Sequence, residues 1–150
     1  MAEEAKKLRL YLANPFLTRQ RIREWELKME AKYAIELVNP FYDTPRADIE
    51  KIDNGENVRA TRTDEKNVKL VAEDLKLMKE CQGVLAIVNG ALSYGTIMEI
   101  VYAGFFGKHV FIVVSNGQIT HPWLQVHGTR LFSSFKEFEK CLKEDKKLNV

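Results

Sequence analysis

The sequence lacks the features that mark membrane-spanning and secreted proteins. No apolar run approaches the ~20 residues that are needed to cross a bilayer. The polar start MAEEAKKLRL contains acidic residues and does not fit a secretory signal. Only two cysteines occur, Cys81 and Cys141, and they lie far apart, so no disulfide framework is expected. We interpret both as buried thiols of a reduced, cytoplasmic protein.

A strong charge of one sign and metal-binding spacings are also missing. The net charge is +2 and basic residues are interspersed with acidic ones, which argues against a nucleic-acid polymer or a membrane surface as a partner. The three histidines, His109, His121 and His127, fit no metal-binding spacing. The stretch GALSYGT lacks the glycine spacing of a dinucleotide site, and no Gly-Lys-Ser/Thr comes after it as in a P-loop. We therefore expect neither a metal nor a cofactor.

The sequence does contain a regular alternation of apolar runs with amphipathic segments, over a length that suits one domain, 1–150. Apolar runs predict strands over 8–13, 33–38, 83–88, 109–114 and 129–132. Helical spacing predicts helices over 18–32, 63–81 and 133–144, and a fourth that follows the loop at 89–95 and ends near 107. A short helix over 47–52 is also expected inside the irregular stretch 41–62. This order predicts an α/β fold, a doubly wound parallel sheet of about five strands with helices on both faces.

Ligands of such sheets bind beyond the carboxyl ends of the strands. Loops leave those ends at 14–18, 39–43 and 89–96. Aromatic, amide and acidic side chains are expected to converge there with Glu99, namely Tyr11, Asn14, Phe16, Asp43 and Asp74. A carboxylate in such company suits a nucleophile or an acid/base pair.

Each of these residues also has a purely structural interpretation. Thr96 and Glu99 have the spacing of a capping box, in which Glu99 would only accept a backbone N–H at the start of its helix. Tyr11 and Phe16 suit a core, and an acid such as Asp74 on a helix is commonly exposed. The residues alone leave both interpretations open.

Three blocks in a fixed order resemble the nucleoside 2-deoxyribosyltransferase family, which includes nucleoside 5'-monophosphate N-glycosidases. The blocks are LYLANPF, EDLKLMKECQGVLAIV and SYGTIMEIVYAGFFGKHVFIV, and the resemblance extends over 8–142. It implies a flavodoxin-like sheet. It also implies that Glu99 is the nucleophile, that Asp74 lies near the leaving base, and that Tyr11 orients the nucleophile.

Many of the transferases have the pattern D-S-G-T-x-x-E, with an aspartate six residues before the nucleophile. In this sequence Ser93 takes the place of that aspartate. In the monophosphate hydrolases a serine occurs there and contacts the 5'-phosphate. An aspartate would repel a phosphate, whereas a serine hydroxyl and nearby backbone N–H groups can donate to it. The residues expected to bind substrate are Ser93, Gly95, Asn14, Phe16, Asp43 and Asn89.

The expected function is therefore cleavage of the N-glycosidic bond of a (deoxy)nucleoside 5'-monophosphate through a covalent glycosyl-Glu99 intermediate. One alternative is a 2-deoxyribosyltransferase that exchanges bases between deoxynucleosides. A second is a nucleotide-binding module without catalysis, because a fold alone does not decide function. We also expect a homodimer or higher homo-oligomer, because the apolar content of the stretch 100–106 exceeds what one helix face needs and the family's pockets are completed by a neighbouring subunit.

Overall fold

A five-stranded, fully parallel sheet forms the centre of the structure, a computed structural model that describes residues 6–43, 64–145 and 148. Its strands are β1 Leu8–Ala13, β2 Ile35–Val38, β3 Gly83–Val88, β4 His109–Val114 and β5 Arg130–Phe132. They lie in the spatial order β2-β1-β3-β4-β5. β3 and β4 are apolar at almost every position, as is typical of parallel strands that helices cover on both faces.

Five α-helices connect or flank these strands in the described residues. They are α1 Arg19–Lys32, α2 Asp64–Lys79, α3 Tyr94–Phe105, α4 Pro122–His127 and α5 Phe135–Asp145, with a turn of 3-10 helix at Phe16–Thr18 before α1. No described helix is both long enough and apolar enough to span a bilayer.

Two separate cores cover the two faces of the sheet, because successive residues of a strand point to opposite sides. On β1, Leu10 and Leu12 enter a core shared with α1 and α5. Tyr11 and Ala13 enter a second core that α2, α3 and α4 cover. Because helices pack on both faces, the ends of the strands are where a ligand can approach the sheet.

The strand order reverses between β1 and β3, which places a crevice beyond their carboxyl ends. Ala13 of β1 pairs with Ala86, so β3 continues two residues further and ends at Val88. The loops that leave β1, β2 and β3 meet at this edge, as expected.

The predicted α/β, flavodoxin-like parallel sheet is confirmed, and the bounds of β1, β3 and β4 match the prediction. β2 begins at Ile35 rather than at 33, because the Tyr33 N–H still donates to Met29 and ends α1. α3 ends at Phe105, before Gly107 with its φ of 68°. The predicted helix over 47–52 lies outside the described residues.

Helix α4 lies in a stretch for which neither a strand nor a helix is predicted. His121 caps it, since a ring nitrogen accepts from the Trp123 N–H, and Pro122 occupies its first turn. At the start of α5, the Glu137 N–H donates to Ser134 Oγ, and the Glu137 carboxylate accepts from the Ser133 N–H.

Both cysteines are buried free thiols, as expected. Burial raises the pKa of the Cys81 thiol to about 11, which keeps it protonated and unreactive at neutral pH.

Candidate active site

A hydrogen bond between Tyr11 and Glu99 lies at the centre of the candidate site. The Tyr11 hydroxyl donates to Glu99 Oε2, so the end of β1 and the second turn of α3 are joined side chain to side chain. Tyr11 is fully buried and Glu99 is half-buried. The donated bond holds the carboxylate in one orientation at the crevice between β1 and β3, as a nucleophile requires.

The helix that carries Glu99 is capped by Ser93, not by Thr96. Ser93 Oγ accepts from the Thr96 N–H at 3.2 Å and lies 2.7 Å from Thr96 Oγ1, and its extended backbone is that of an N-cap residue. Thr96 is buried in the first turn of the helix. The capping-box interpretation of Thr96 and Glu99 is therefore wrong. The helix begins before Thr96, and Glu99 lies beyond the first turn, where the backbone N–H groups have no partner within the helix.

Gly95 lies in the first turn of α3, beside the carboxylate. A methyl group on Gly95 would lie 3.8 Å from Glu99 Oε1, which is an ordinary van der Waals contact. An alanine would therefore fit at this position, and the expected substrate-binding role of Gly95 does not follow from a need for space.

Asp74 lies on α2, which packs against both β1 and α3. Its side chain is half-buried rather than fully exposed. The structure thus brings Asp74 to the two elements that carry Tyr11 and Glu99. Its role beside the leaving base stays a prediction.

Asn14 and Asp43, two expected substrate-binding residues, form hydrogen bonds within the protein, and their contact with a substrate stays a prediction. Asn14 is buried and its amide donates to the Leu12 carbonyl at 3.0 Å and to Asn39 Oδ1 at 3.4 Å. Asp43 accepts from the Asn39 N–H at 2.7 Å and from Arg23 at 3.3 Å. Asn39, the first residue of the loop 39–43, therefore joins the loops after β1 and β2.

A buried glutamate lies beneath these loops. Glu26 of α1 is fully buried, pairs with Arg23 and accepts from the Asn39 side-chain amide at 3.3 Å. Burial raises the pKa of the Glu26 carboxyl from 4.5 to about 7, and Arg23 offsets only part of this. Sequence reasoning missed Glu26, although its spacing from Ile22 and Met29 puts it on the apolar face of α1.

Phe16 and Asn89 border the same edge of the sheet. The Phe16 ring meets Phe41 edge to face at 5.7 Å, and the Arg19 guanidinium lies 3.8 Å from its centre on the face of the ring. The Asn89 amide donates to Thr18 Oγ1 at 2.9 Å, and its oxygen accepts from the Ala91 N–H. These contacts tie the loop after β3 to the turn before α1.

No group of three or more histidine, cysteine or acidic side chains in the described ranges could hold a metal ion. The chemistry available at the edge of the sheet is that of carboxylates, a phenol, amides and hydroxyls. Such a set can bind a polar small molecule and stabilise positive charge that develops on it.

Comparison with known proteins links this geometry to a family. The family model described as nucleoside 2-deoxyribosyltransferase matches residues 10–148. A solved structure, the CMP N-glycosidase BcmB of Clostridium botulinum, has a TM-score of 0.52 and 19% sequence identity, over 90% of this chain and 97% of that chain. At that identity the likeness establishes a common fold. No curated protein matches the chain in sequence.

The buried Glu26 predicts a stability that falls with rising pH. Because the pKa of Glu26 is raised in the folded state, Glu26 contributes fully to the free energy of unfolding below pH 4.5, its usual pKa. This contribution is lost as pH rises through about 7. The free energy of unfolding should fall by an amount on the order of 3 kcal/mol over this range. The glutamine of Glu26→Gln stays neutral, so this variant should lack the fall in stability. Urea unfolding, followed by circular dichroism at several pH values, measures the difference.

Glu24→Gln is the matched control, because Glu24 is exposed on the same helix. It should unfold with the same pH dependence as the wild type. Glu30, whose pKa is also raised by burial, is present in all three proteins and cancels in the comparison. An identical fall in wild type and Glu26→Gln would show that Glu26 does not carry the effect.

Proposed function

The chain belongs to the nucleoside 2-deoxyribosyltransferase family, and from that membership we propose that it cleaves the N-glycosidic bond of a (deoxy)nucleoside 5'-monophosphate. The products are the free base and the sugar phosphate. The observation that supports this most directly is the hydrogen bond from Tyr11 to Glu99, which holds a carboxylate at the ligand-binding edge of the sheet.

In the proposed reaction Glu99 attacks the anomeric carbon while the bond from that carbon to the base breaks. The electron pair of that bond leaves with the base, and Asp74 in its protonated form supplies the proton. Positive charge on the sugar in the transition state is stabilised by the Glu99 carboxylate, as in retaining glycosidases. Water then attacks the glycosyl-Glu99 ester, the carboxylate departs, and the proton of the water returns to Asp74.

The N-terminus of α3 suits the 5'-phosphate. Ser93 Oγ accepts from the Thr96 N–H and lies 2.7 Å from Thr96 Oγ1, where either hydroxyl can donate. When the Thr96 hydroxyl is the donor, the Ser93 hydroxyl proton is available to a phosphate oxygen. The first N–H groups and the dipole of the helix favour an anion at the same place. The solved structure of the same fold is named a CMP N-glycosidase, and CMP carries such a phosphate.

The family description supports a second candidate, transfer of the deoxyribosyl group to another base. The same Glu99 ester serves both reactions, and only the acceptor differs. Incubation of the protein with a deoxynucleoside or its monophosphate, with and without a second free base, separates the two by product chromatography. Binding without any release of base would instead favour the non-catalytic alternative.

We further propose that the active unit is a homodimer built on α3. Tyr94, Met98 and Phe105 are 72%, 60% and 81% exposed, and their spacing places them on one side of the helix. Glu99 is the one charged residue of α3, so this face carries no repelling charge towards a second copy. An apolar face of this kind suits an isologous contact.

Glu99→Gln should fold normally and lose glycosidic cleavage by ~10³-fold or more, because an amide cannot form the covalent ester. The glutamine oxygen can still accept from Tyr11, so the change removes the charge and keeps the shape. Release of base in single-turnover assays measures the loss, and thermal unfolding checks the fold. Activity within a few-fold of the wild type would reject Glu99 as the nucleophile.

Substitutions of Ser93 should change the preference of the protein for a nucleotide over the corresponding nucleoside. Loss of one hydrogen bond to a charged group should lower kcat/KM for the monophosphate by roughly ten- to a hundredfold in Ser93→Ala. The same variant should leave the nucleoside nearly unaffected. Ser93→Asp should turn the preference towards the nucleoside, because two negative charges would meet. An equal effect of Ser93→Ala on both substrates would contradict the phosphate contact.

Phe105→Glu should convert the proposed dimer into a monomer and lower its activity, because a charge would be buried at the contact. Light scattering should give the wild type twice the mass of one chain. Leu27→Glu is the control, since Leu27 is a half-exposed apolar residue of α1 on the other side of the sheet. A wild type that is monomeric and fully active would overturn the dimer.

A further inference from the structure

We propose that a second small-molecule site lies on the opposite face of the sheet from Tyr11 and Glu99, and that it binds a planar aromatic anion. A cavity of about 330 Å³ opens there between α1, the loop after β3 and the start of α5. Its volume lies at the lower end of the range of ligand pockets, which suits a molecule with a single substituted ring.

The sheet itself separates this cavity from the candidate active site. Ile22 in its wall belongs to the core between the sheet, α1 and α5, and Trp25 and Phe135 pack against that core. Tyr11 and the inner side of α3 belong to the core on the other face. The apolar wall of the cavity therefore lies on the other face of the sheet from Glu99, and the cavity shares Thr18 and Asn89 with the edge at which the candidate site opens.

Two aromatic rings line the cavity. The centres of the Trp25 and Phe135 rings are 4.6 Å apart, with the planes tilted by 58°, and both side chains are only partly buried. An indole and a phenyl ring that remain partly uncovered offer flat apolar surface to a flat ligand. Stacking and edge contacts with such rings favour a planar aromatic group.

The polar part of the lining, called its rim here, carries one positive charge and several hydrogen-bonding groups. Among the described residues that line the cavity, Arg21 is the charged one and none is acidic. Thr18, Asn89 and Ser115 add two hydroxyls and an amide. The bond of 2.9 Å from Asn89 to Thr18 holds part of this rim in place before any ligand arrives. A guanidinium beside neutral donors favours a carboxylate or a phosphate.

The two tryptophans of the chain make the test specific. Trp25 lines this cavity, whereas Trp123 lines another, of about 340 Å³, between α3 and α4. Each indole N–H gives its own signal in a ¹H–¹⁵N spectrum, and a Trp123→Phe protein assigns them. Benzoate and phenyl phosphate should shift the Trp25 signal in a saturable way. Benzamide, which has the same ring without the charge, should bind at least ~tenfold more weakly.

Arg21→Met should weaken benzoate binding by ~tenfold or more, because it removes the charge and keeps an apolar stem. Lys28→Met is the control, since Lys28 is an exposed cation of the same helix that does not line the cavity. It should bind benzoate as the wild type does.

Three results would overturn the site: no saturable shift of Trp25 below ~10 mM ligand, shifts confined to Trp123, or equal affinity in wild type and Arg21→Met. The assay contains no nucleotide and can be repeated in Glu99→Gln. Its outcome is therefore independent of the glycosidase proposal, and the two can fail separately.

Discussion

The hydrogen bond from Tyr11 to Glu99 joins residues that are 88 positions apart in the chain, and it depends on the reversal of strand order at β1. Only because β3 lies directly beside β1 does the helix after β3 begin next to the end of β1. The Tyr11 ring is buried in the core, so the position of its hydroxyl is set by packing. The carboxylate is thus oriented by the interior of the protein rather than by a surface loop, which is the pre-organisation that catalysis favours.

A second polar system supports the other side of the crevice. Glu26, Asn39 and Arg23 connect α1 to the ends of β1 and β2, and through them Asn14 and Asp43 are held in the protein. A buried carboxyl whose pKa lies near 7 is costly to ionise, and its removal would take one acceptor from the buried Asn39 side-chain amide. We infer that this network serves to give the loops one conformation.

Sequence reasoning predicted the features that local pattern and contiguous motifs determine. The strands were clear because apolar runs between turn residues suit buried parallel strands, and Tyr11 and Glu99 were found through blocks that resemble a family. One of the two interpretations that sequence reasoning left open placed the cap of α3 at Thr96, because Ser93 and Thr96 are both good caps and the sequence does not show which residue ends the loop. Glu26 was missed although its spacing places it on the apolar face of α1, because an acidic side chain is rarely buried. Asn39 was missed because its partners lie on other elements. The cavity beside Trp25 was missed for the same reason, since it depends on the packing of α1 against α5.

The cap of α3 has a consequence for how members of this fold can diverge. Serine and aspartate stabilise the start of a helix about equally well, so either residue at position 93 lets α3 form. The two differ sharply, however, in the charge that they present to the mouth of the crevice. If the proposed phosphate contact holds, an exchange at this position would alter substrate choice while the helix keeps its stability. Under that proposal, the same substitution that changes the charge at the crevice needs no compensating change in the cap of α3.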